Sequence, residues 1–374
     1  MPIKKVLFLI QSLGGGGAEK VLVNLVNNLD KERYAVTVMT LFSGGENEQQ
    51  LLPHICLKTV WKKSFPGNSR LLKMFSPEVL HKMFVREKYD IEVAYLEGAA
   101  HRIISGCKDS SIKLFAWQHS EPHDAGGACI GFRSIKESEL YYSRYRKIIC
   151  VSDSVRRSFG SWHPSLTNLV TAYNTNESEK ITRLGSEKVG AELFKKDEFK
   201  IVGIGKITWN KGFDRLANIH VKLRKEGFPV HTYILGAGQD QSAIQEFIDR
   251  KGEHDSFTFL GYQQNPYKYL SHCDLYVCTS HHEGFSTAAT EALIVGTPVC
   301  TVEVSGMKEM LGENNEYGLV TENDDESLYR GIRRLLTEPG LWEHYKKQAN
   351  RRGKDFSTEN TVAAVERIFQ KERL

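Results

Sequence analysis

Several features that would tie a chain to a narrow class are missing here. The seven cysteines (Cys56, Cys107, Cys129, Cys150, Cys273, Cys278, Cys300) include no Cys-x-x-Cys pair, and their odd number argues against a closed disulfide framework. Scattered mostly through apolar stretches, they read as small buried hydrophobes of a reducing compartment. No apolar run approaches the roughly 20 residues that span a bilayer. The opening MPIKKVLFLIQS carries an apolar run of five, too short for the core of a signal peptide. The expectation is a cytoplasmic protein, with room for a place at the inner face of the cell membrane. No Asp-x-Asp pair occurs. Gly14–Gly17 lack the GxGxxG spacing because Glu19 stands where the third glycine belongs, and no acid closes the second apolar run, which ends in LFSGG. A dinucleotide fingerprint needs that acid for the ribose hydroxyl, so a nicotinamide enzyme is disfavoured.

What is present points to a two-domain globular chain. A length of 374 residues is long for one core, and 40% hydrophobic with 26% charged residues excludes a disordered class. Net charge is +4, unevenly spread: 23 Lys and Arg face 16 Asp and Glu in residues 1–172, against 27 and 30 beyond. A basic first half suits an anionic partner. KKVLFLI, the glycine run, VLVNLVNNLD with its one-sided apolar spacing, and YAVTVMTLF read as strand, loop, helix and strand. This βαβ unit argues for a parallel sheet, which IEVAYL (91–96), IKLFAWQ (112–118) and KIICVS (147–152) extend. The pattern restarts at FKIVGIG and continues through HTYILGAG, FTFLG, DLYVCTS and TPVCTV. The polar stretch 174–188, with no apolar face of its own, reads as the linker.

The most informative stretch is HHEGFSTAATEAL, residues 281–293. Glu283 precedes an expected helix and Glu291 lies within it. Eight helical steps would separate them by about 12 Å, close to the gap between two sugar rings joined through a pyrophosphate. The small residues between, Ser286, Thr287, Ala288 and Ala289, let a ligand lie against the helix mouth, where free N–H groups collect phosphate. Carboxylates accept hydrogen bonds from vicinal hydroxyls, so each glutamate suits a diol. The bland alternative is one glutamate favoured by the helix dipole and one exposed. Lys206 and Lys211 bracket the loop GKITWNKG and could offset a pyrophosphate, or be two solvated lysines. Neither serine nor threonine at the helix start has the acid or amide three residues on that completes a capping box, which leaves the mouth open for an anion. HSEPHD (119–124) clusters possible metal ligands, but its spacing matches no defined ligand set.

EGFSTAATEAL followed by VGTPV resembles the E-x7-E signature of the retaining glycosyltransferases of family 4, which have the GT-B fold. GGGGAEKVLVNL, IICVSDSV, AYN, IGKITWNKGFDRL, ILGAG, FLGY and YLSHCDLYVCTS follow in that family's order over nearly the whole chain. The resemblance implies an α/β, GT-B chain of two Rossmann-like doubly wound parallel-sheet domains facing a cleft. These are an acceptor-binding domain over 1–172, a nucleotide-sugar-binding domain over 173–355, and a C-terminal helix, 356–374, returning to the first domain. It further implies that Glu291 binds ribose hydroxyls and Glu283 those of the transferred sugar. Lys206 and Lys211 would meet the pyrophosphate, with Lys206 standing where the family usually has arginine and so losing the two-pronged donor. Gly16, Gly17, Gly284, Phe285, Ser286 and Thr287 would complete the donor pocket, and His119 would face the donor sugar. Glu97 is a candidate on the acceptor side, or a salt-bridged surface residue.

The activity implied is retaining, metal-independent transfer of a hexosyl unit, with no cofactor. The donor is a nucleotide diphosphate sugar, UDP-linked by preference. The acceptor is a glycan or lipid-linked oligosaccharide in surface polysaccharide biosynthesis. A sugar-nucleotide epimerase or hydrolase, or a non-catalytic sugar-nucleotide-binding protein, would use the same scaffold. Residues 61–88 interleave seven Lys and Arg with Trp61, Phe65, Phe75 and Phe84, as for peripheral contact with anionic lipid or a solvated basic helix. No nucleic-acid motif accompanies the charge.

Overall fold

In the computed structural model, which describes residues 2–190, 193–195 and 197–370, the chain divides into two compact units. Unit 1 takes in the chain up to Thr175 and again from Thr358 onward, and unit 2 is Asn176–Ser357. The sheet of unit 1 contains β1 (Lys4–Ile10), β2 (Tyr34–Phe42), β3 (Cys56–Trp61), β4 (Ile91–Ala94), β5 (Lys113–Gln118), β6 (Lys147–Cys150) and β7 (Leu169–Thr171). All pairings are parallel, in the order β3-β2-β1-β4-β5-β6-β7. The sheet of unit 2 contains β8 (Phe199–Ile204), β9 (Val230–Leu235), β10 (Phe257–Gly261), β11 (Leu275–Cys278), β12 (Val299–Val302) and β13 (Leu319–Thr321). It is also wholly parallel, ordered β10-β9-β8-β11-β12-β13. Each order reverses beside its first strand, which makes both sheets doubly wound.

Helices cover both faces of a parallel sheet, so its inner strands read as unbroken apolar runs. Val6 to Ile10 are all fully buried, as are Ile201, Leu275 and Cys300 in unit 2. The helix Phe213–Lys225 lays Phe213, Leu216, Ala217 and Leu223 on the second sheet. The C-terminal helix Thr358–Gln370 is fastened to unit 1 by Phe369, whose ring lies 5.0 Å from Phe115 and 6.3 Å from Phe8. An ion pair between Arg33 and Glu366 at 2.8 Å supports it.

Two local expectations are corrected. The stretch expected to be a linker contains a helix, Ser178–Gly185. It buries Ile181, accepts a hydrogen bond from Ser271 Oγ at its Gly185 carbonyl at 2.5 Å, and packs against helices Tyr267–His272 and Thr287–Ile294. One isoleucine and one close glycine suffice to dock it, which is why no apolar face shows in the sequence. The second correction concerns the basic segment. Trp61 and Phe65 turn inward on Phe42 and Phe84 packs on Trp61, with Trp61 5.4 Å from Phe42, 5.7 Å from Phe65 and 5.1 Å from Phe84. Of its four aromatics, Phe75 alone is exposed. The seven cysteines are all free and five are buried, Cys56 being exposed and Cys129 half-buried. No described helix is long and apolar enough to cross a membrane.

Candidate functional site

In unit 2 the winding reverses between β8 and β11, and the loops leaving their carboxyl ends carry the residues of interest. After β8 the chain passes Lys206 and a short turn, Trp209–Lys211, before the helix Phe213–Lys225. After β11 it runs through Thr279–Ser286 into the helix Thr287–Ile294. Gly212 joins the two. Its φ of +62° is left-handed, and a Cβ there would stand 2.3 Å from the Thr279 carbonyl oxygen, so no other residue lets the loops approach so closely. Cross-links hold them: the His281 N–H donates to the Asn210 carbonyl at 2.8 Å, Asn210 Nδ2 to the His282 carbonyl at 3.2 Å, and Thr279 Oγ1 to the Lys211 carbonyl at 2.7 Å. Buried Arg215 donates to the Thr279 carbonyl at 3.2 Å and pairs with Asp325 at 2.6 Å. The Trp209 ring stacks on His281 at 4.4 Å.

This frame brings Lys211 Nζ onto Glu283 Oε1, and Ser280 Oγ donates to the same oxygen at 2.8 Å. Burial works against the charge on Lys211, but the Glu283 carboxylate outweighs it by field and hydrogen bond, holding the ammonium above its ordinary range. Lys206 is exposed, five residues away, with no ion pair among the described residues. Glu291 sits in the second turn of Thr287–Ile294 with only 4% of its surface exposed, and Tyr267 Oη lies 3.3 Å from its Oε1. The helix mouth is partly closed: Ser286 Oγ accepts from the Ala289 N–H at 3.3 Å without any capping box. The expectation of a mouth left uncapped is therefore corrected. Thr287 is half-buried at the helix start. Phe285 is buried against Phe356, 5.9 Å between rings, so its side chain seats the loop and its backbone alone can face a ligand. The Gly284 carbonyl accepts from Ser305 Oγ at 3.1 Å. A cavity of about 430 Å³ shares Thr208 and Trp209 with this frame. Its lining includes Asp214 and Asp240 and no lysine, which does not suit a diphosphate.

In unit 1, Glu97 and His119 follow the adjacent strands β4 and β5. Glu97 forms no ion pair among the described residues. Its Oε1 accepts from the His119 N–H at 2.5 Å, the Ser120 N–H at 2.8 Å and Ser120 Oγ at 3.1 Å, so that oxygen holds the loop. His119 Nε2 bonds the Tyr95 carbonyl at 3.0 Å and therefore carries the proton. Burial pulls the imidazole down to about 4 against that hydrogen bond. The ring is neutral near pH 7, and Nδ1 is left able to accept a hydrogen bond from a hydroxyl but not to donate one. Gly16 precedes the helix Gly17–Asn28 with no side-chain cap, and a Cβ on Gly16 would stand 2.2 Å from Glu19 Oε2. The glycine run also packs on the loop after β2, where the Asn47 N–H donates to the Leu13 carbonyl at 2.9 Å. The HSEPHD residues gather no metal-ligand cluster among the described residues. Sequence reasoning missed Ser280, Tyr267 and Arg215, whose roles arise only when distant segments meet. It also missed Tyr95, a fully buried phenol whose oxygen has no hydrogen-bond partner.

Two doubly wound sheets, the second with paired carboxylate and ammonium at its switch point, define a scaffold of GT-B type. Comparison with known proteins narrows this. The profile for glycosyl transferases group 1 matches residues 186–352, and that for glycosyltransferase family 4 matches residues 15–174. The chain belongs to the group 1 glycosyltransferases, of family 4 type. Among curated relatives, the N-acetylgalactosamine-N,N'-diacetylbacillosaminyl-diphospho-undecaprenol 4-alpha-N-acetylgalactosaminyltransferase of Campylobacter jejuni is 30% identical over 186 residues. That alignment takes in 49% of this chain and 48% of the relative, so the chain spans about half the length of that protein. The lipopolysaccharide core biosynthesis glycosyltransferase LpsD of Rhizobium meliloti is 22% identical over 88% of this chain and 87% of its own. Among solved structures, Anabaena HepE in complex with UDP superposes with a TM-score of 0.76 at 18% identity, covering 98% of this chain and 99% of that one. This last likeness bears on the fold.

Proposed function

We propose that the protein transfers a hexosyl unit from a nucleotide diphosphate sugar, UDP-linked by preference, to a glycan or lipid-linked oligosaccharide in surface polysaccharide assembly, with retention at the anomeric carbon. The observation that carries this reading is the Lys211–Glu283 pair at the switch point of unit 2, in the loop leading into the helix Thr287–Ile294 whose second turn holds buried Glu291. The ribose diol binds Glu291, the diphosphate lies across the helix mouth between Lys206 and Lys211, and the sugar hydroxyls bind Glu283. Lys211 has three N–H donors, so it can keep Glu283 while turning others to the β-phosphate. In the reaction the acceptor hydroxyl oxygen bonds the anomeric carbon as the bond to the β-phosphate oxygen breaks, the hydroxyl proton passes to the departing diphosphate, and the negative charge developing there is met by ammonium groups already in place. Preorganised charge of this kind is commonly the largest contribution to lowering the barrier. Two lysines and a helix N-terminus take the part a divalent cation would play at the diphosphate. HepE solved with UDP, and a relative named for a diphospho-undecaprenol substrate, support the donor and acceptor classes.

Membrane contact is part of the proposal, moved from the aromatics to the tip of the basic segment. Leu71, Met74, Phe75, Val79 and Met83 are exposed there, Met74 by 74%. The tip is held rigid: Arg133 donates to the Lys73 carbonyl at 2.7 Å and the Met74 carbonyl at 3.0 Å, and buried Arg102 to the Phe75 carbonyl at 2.7 Å. Apolar side chains on a fixed support beside Lys73 and Lys82 suit an anionic bilayer surface.

The test is a panel of UDP- and GDP-sugars with a lipid-linked acceptor, scored for binding, nucleotide release and product stereochemistry. The expected result is a UDP-sugar whose α- or β-configuration is unchanged in the product, with no response to added Mg²⁺. An inverted product, or nucleotide release without any acceptor dependence, would remove the proposal.

A further inference from the structure

Unit 1 holds a cluster that plays no part in the donor chemistry. His81 projects from the helix Pro77–Phe84, Glu92 from β4, and Cys107 from the turn after the helix Ala99–Ile104. One donor atom from each lies within 4.8 Å of the other two, the sole grouping of this kind among the described residues. His81 Nε2 and Glu92 Oε2 are 2.8 Å apart. The Glu92 side chain is 1% exposed, and its other oxygen, Oε1, has no hydrogen-bond partner. A buried carboxylate oxygen without a partner is costly and calls for an occupant. The cage is built closely: a Cβ on Gly106 would stand 1.9 Å from the Pro77 carbonyl oxygen, so the glycine lets the Cys107 turn lie against the start of the histidine's helix.

We propose that His81, Glu92 and Cys107 bind one divalent metal ion of the zinc class, which ties the helix Pro77–Phe84 to β4. An imidazole nitrogen, a carboxylate oxygen and a thiolate form a mixed donor set that favours zinc or cobalt over the oxygen-seeking magnesium and calcium. Thiolate and carboxylate together neutralise a 2+ ion, so the buried site carries no net charge when filled. Three protein ligands leave a fourth position for water on the side of His81, whose side chain is 15% exposed and offers the entry path. Without metal, burial opposes the charge on His81, but hydrogen bonds with Cys107 and Glu92 outweigh it and lift the ring to about 9. The ion takes the place of that proton. This helix also carries Val79 and Met83 of the exposed tip. The site shares no residue with the Lys211–Glu283 frame, so it stands or falls apart from the sugar-nucleotide reading.

The test is titration of chelator-stripped full-length protein with CoCl₂, followed by ZnCl₂. The expected result is one equivalent of cobalt with a thiolate-to-cobalt charge-transfer band, displaced by one equivalent of zinc. Cys107→Ser should abolish the band, which distinguishes this thiol from the other six. His81→Gln, on a partly exposed helix position and able to decide the matter should the serine variant not fold, should weaken binding by more than the roughly 10–100-fold cost of losing an outer-sphere partner. No charge-transfer band in the wild type, or unchanged affinity in either folded variant, would overturn the proposal.

Discussion

Lys211→Met keeps the length of the side chain and removes its ammonium, and two separate consequences can be worked out. Removing one partner of a buried pair costs about 3–5 kcal/mol, and of an exposed pair about 0–1 kcal/mol. Here the side chains are 28% and 13% exposed, and Glu283 keeps its 2.8 Å hydrogen bond from Ser280. The expected loss of stability is therefore intermediate, about 1–2 kcal/mol, or ~2–8 °C in Tm for a unit of this size. Turnover should suffer more. Losing one preorganised donor to a developing anion costs roughly 10²–10³-fold in kcat. Single-turnover nucleotide release at saturating donor, with Tm measured on the same samples, separates the two. Because Lys211 titrates above 10.5, the ammonium is charged across the working range, so the loss should not vary between about pH 6 and 9. For the same reason the pair's contribution to stability is complete below 10.5 and disappears as pH rises through the raised value. A variant that folds with lowered Tm yet keeps kcat within about tenfold would refute the role given to this lysine.

Glu291→Ala should weaken UDP and UDP-sugars alike by about 1–3 kcal/mol, as for a buried hydrogen-bond partner lost; calorimetry showing unchanged affinity would remove its ribose role. Glu283→Gln should lower turnover far more than nucleotide affinity, and full activity would count against its contact with the transferred sugar. Phe369→Ala should cost about 3–5 kcal/mol, measured by urea unfolding, since that ring is fully buried among Phe8, Tyr34 and Phe115. Burial pulls His101 down to about 4 and His220 to about 3, so the unfolded chain binds more protons than the folded one below the usual 6.5. Stability should then fall as pH drops from 6.5, by about 1.4 kcal/mol per unit for each; equal urea midpoints at about pH 7 and 5 would contradict this.

The sequence was most readable where both faces of a strand are covered. β1, β2, β4, β5 and β6, and β8 to β12, appear as apolar runs because helices lie on both sides of each sheet. The three strands that went unread, β3, β7 and β13, all lie at sheet edges. β3 leaves Leu57 exposed, and β7 and β13 are three residues long, too short for any period. In the site, both glutamates fall within one loop and one helix, so their spacing survives in the linear chain. Their partners do not: Tyr267 stands 24 residues before Glu291, and Lys211 stands 72 before Glu283. The pairing of Lys211 with Glu283 depends on the Gly212 approach and was not legible in advance. The aromatics of the basic segment misled for a related reason, since composition cannot tell an inward-facing Trp61 from an outward-facing Met74.

The most direct measurement is a crystal structure of the protein with an intact UDP-sugar. The ribose should lie on Glu291, the diphosphate between Lys206 and Lys211 at the start of the helix Thr287–Ile294, and the hexose against Glu283. A nucleotide bound away from that helix, with Lys211 still paired to Glu283 and Glu291 untouched, would contradict the account.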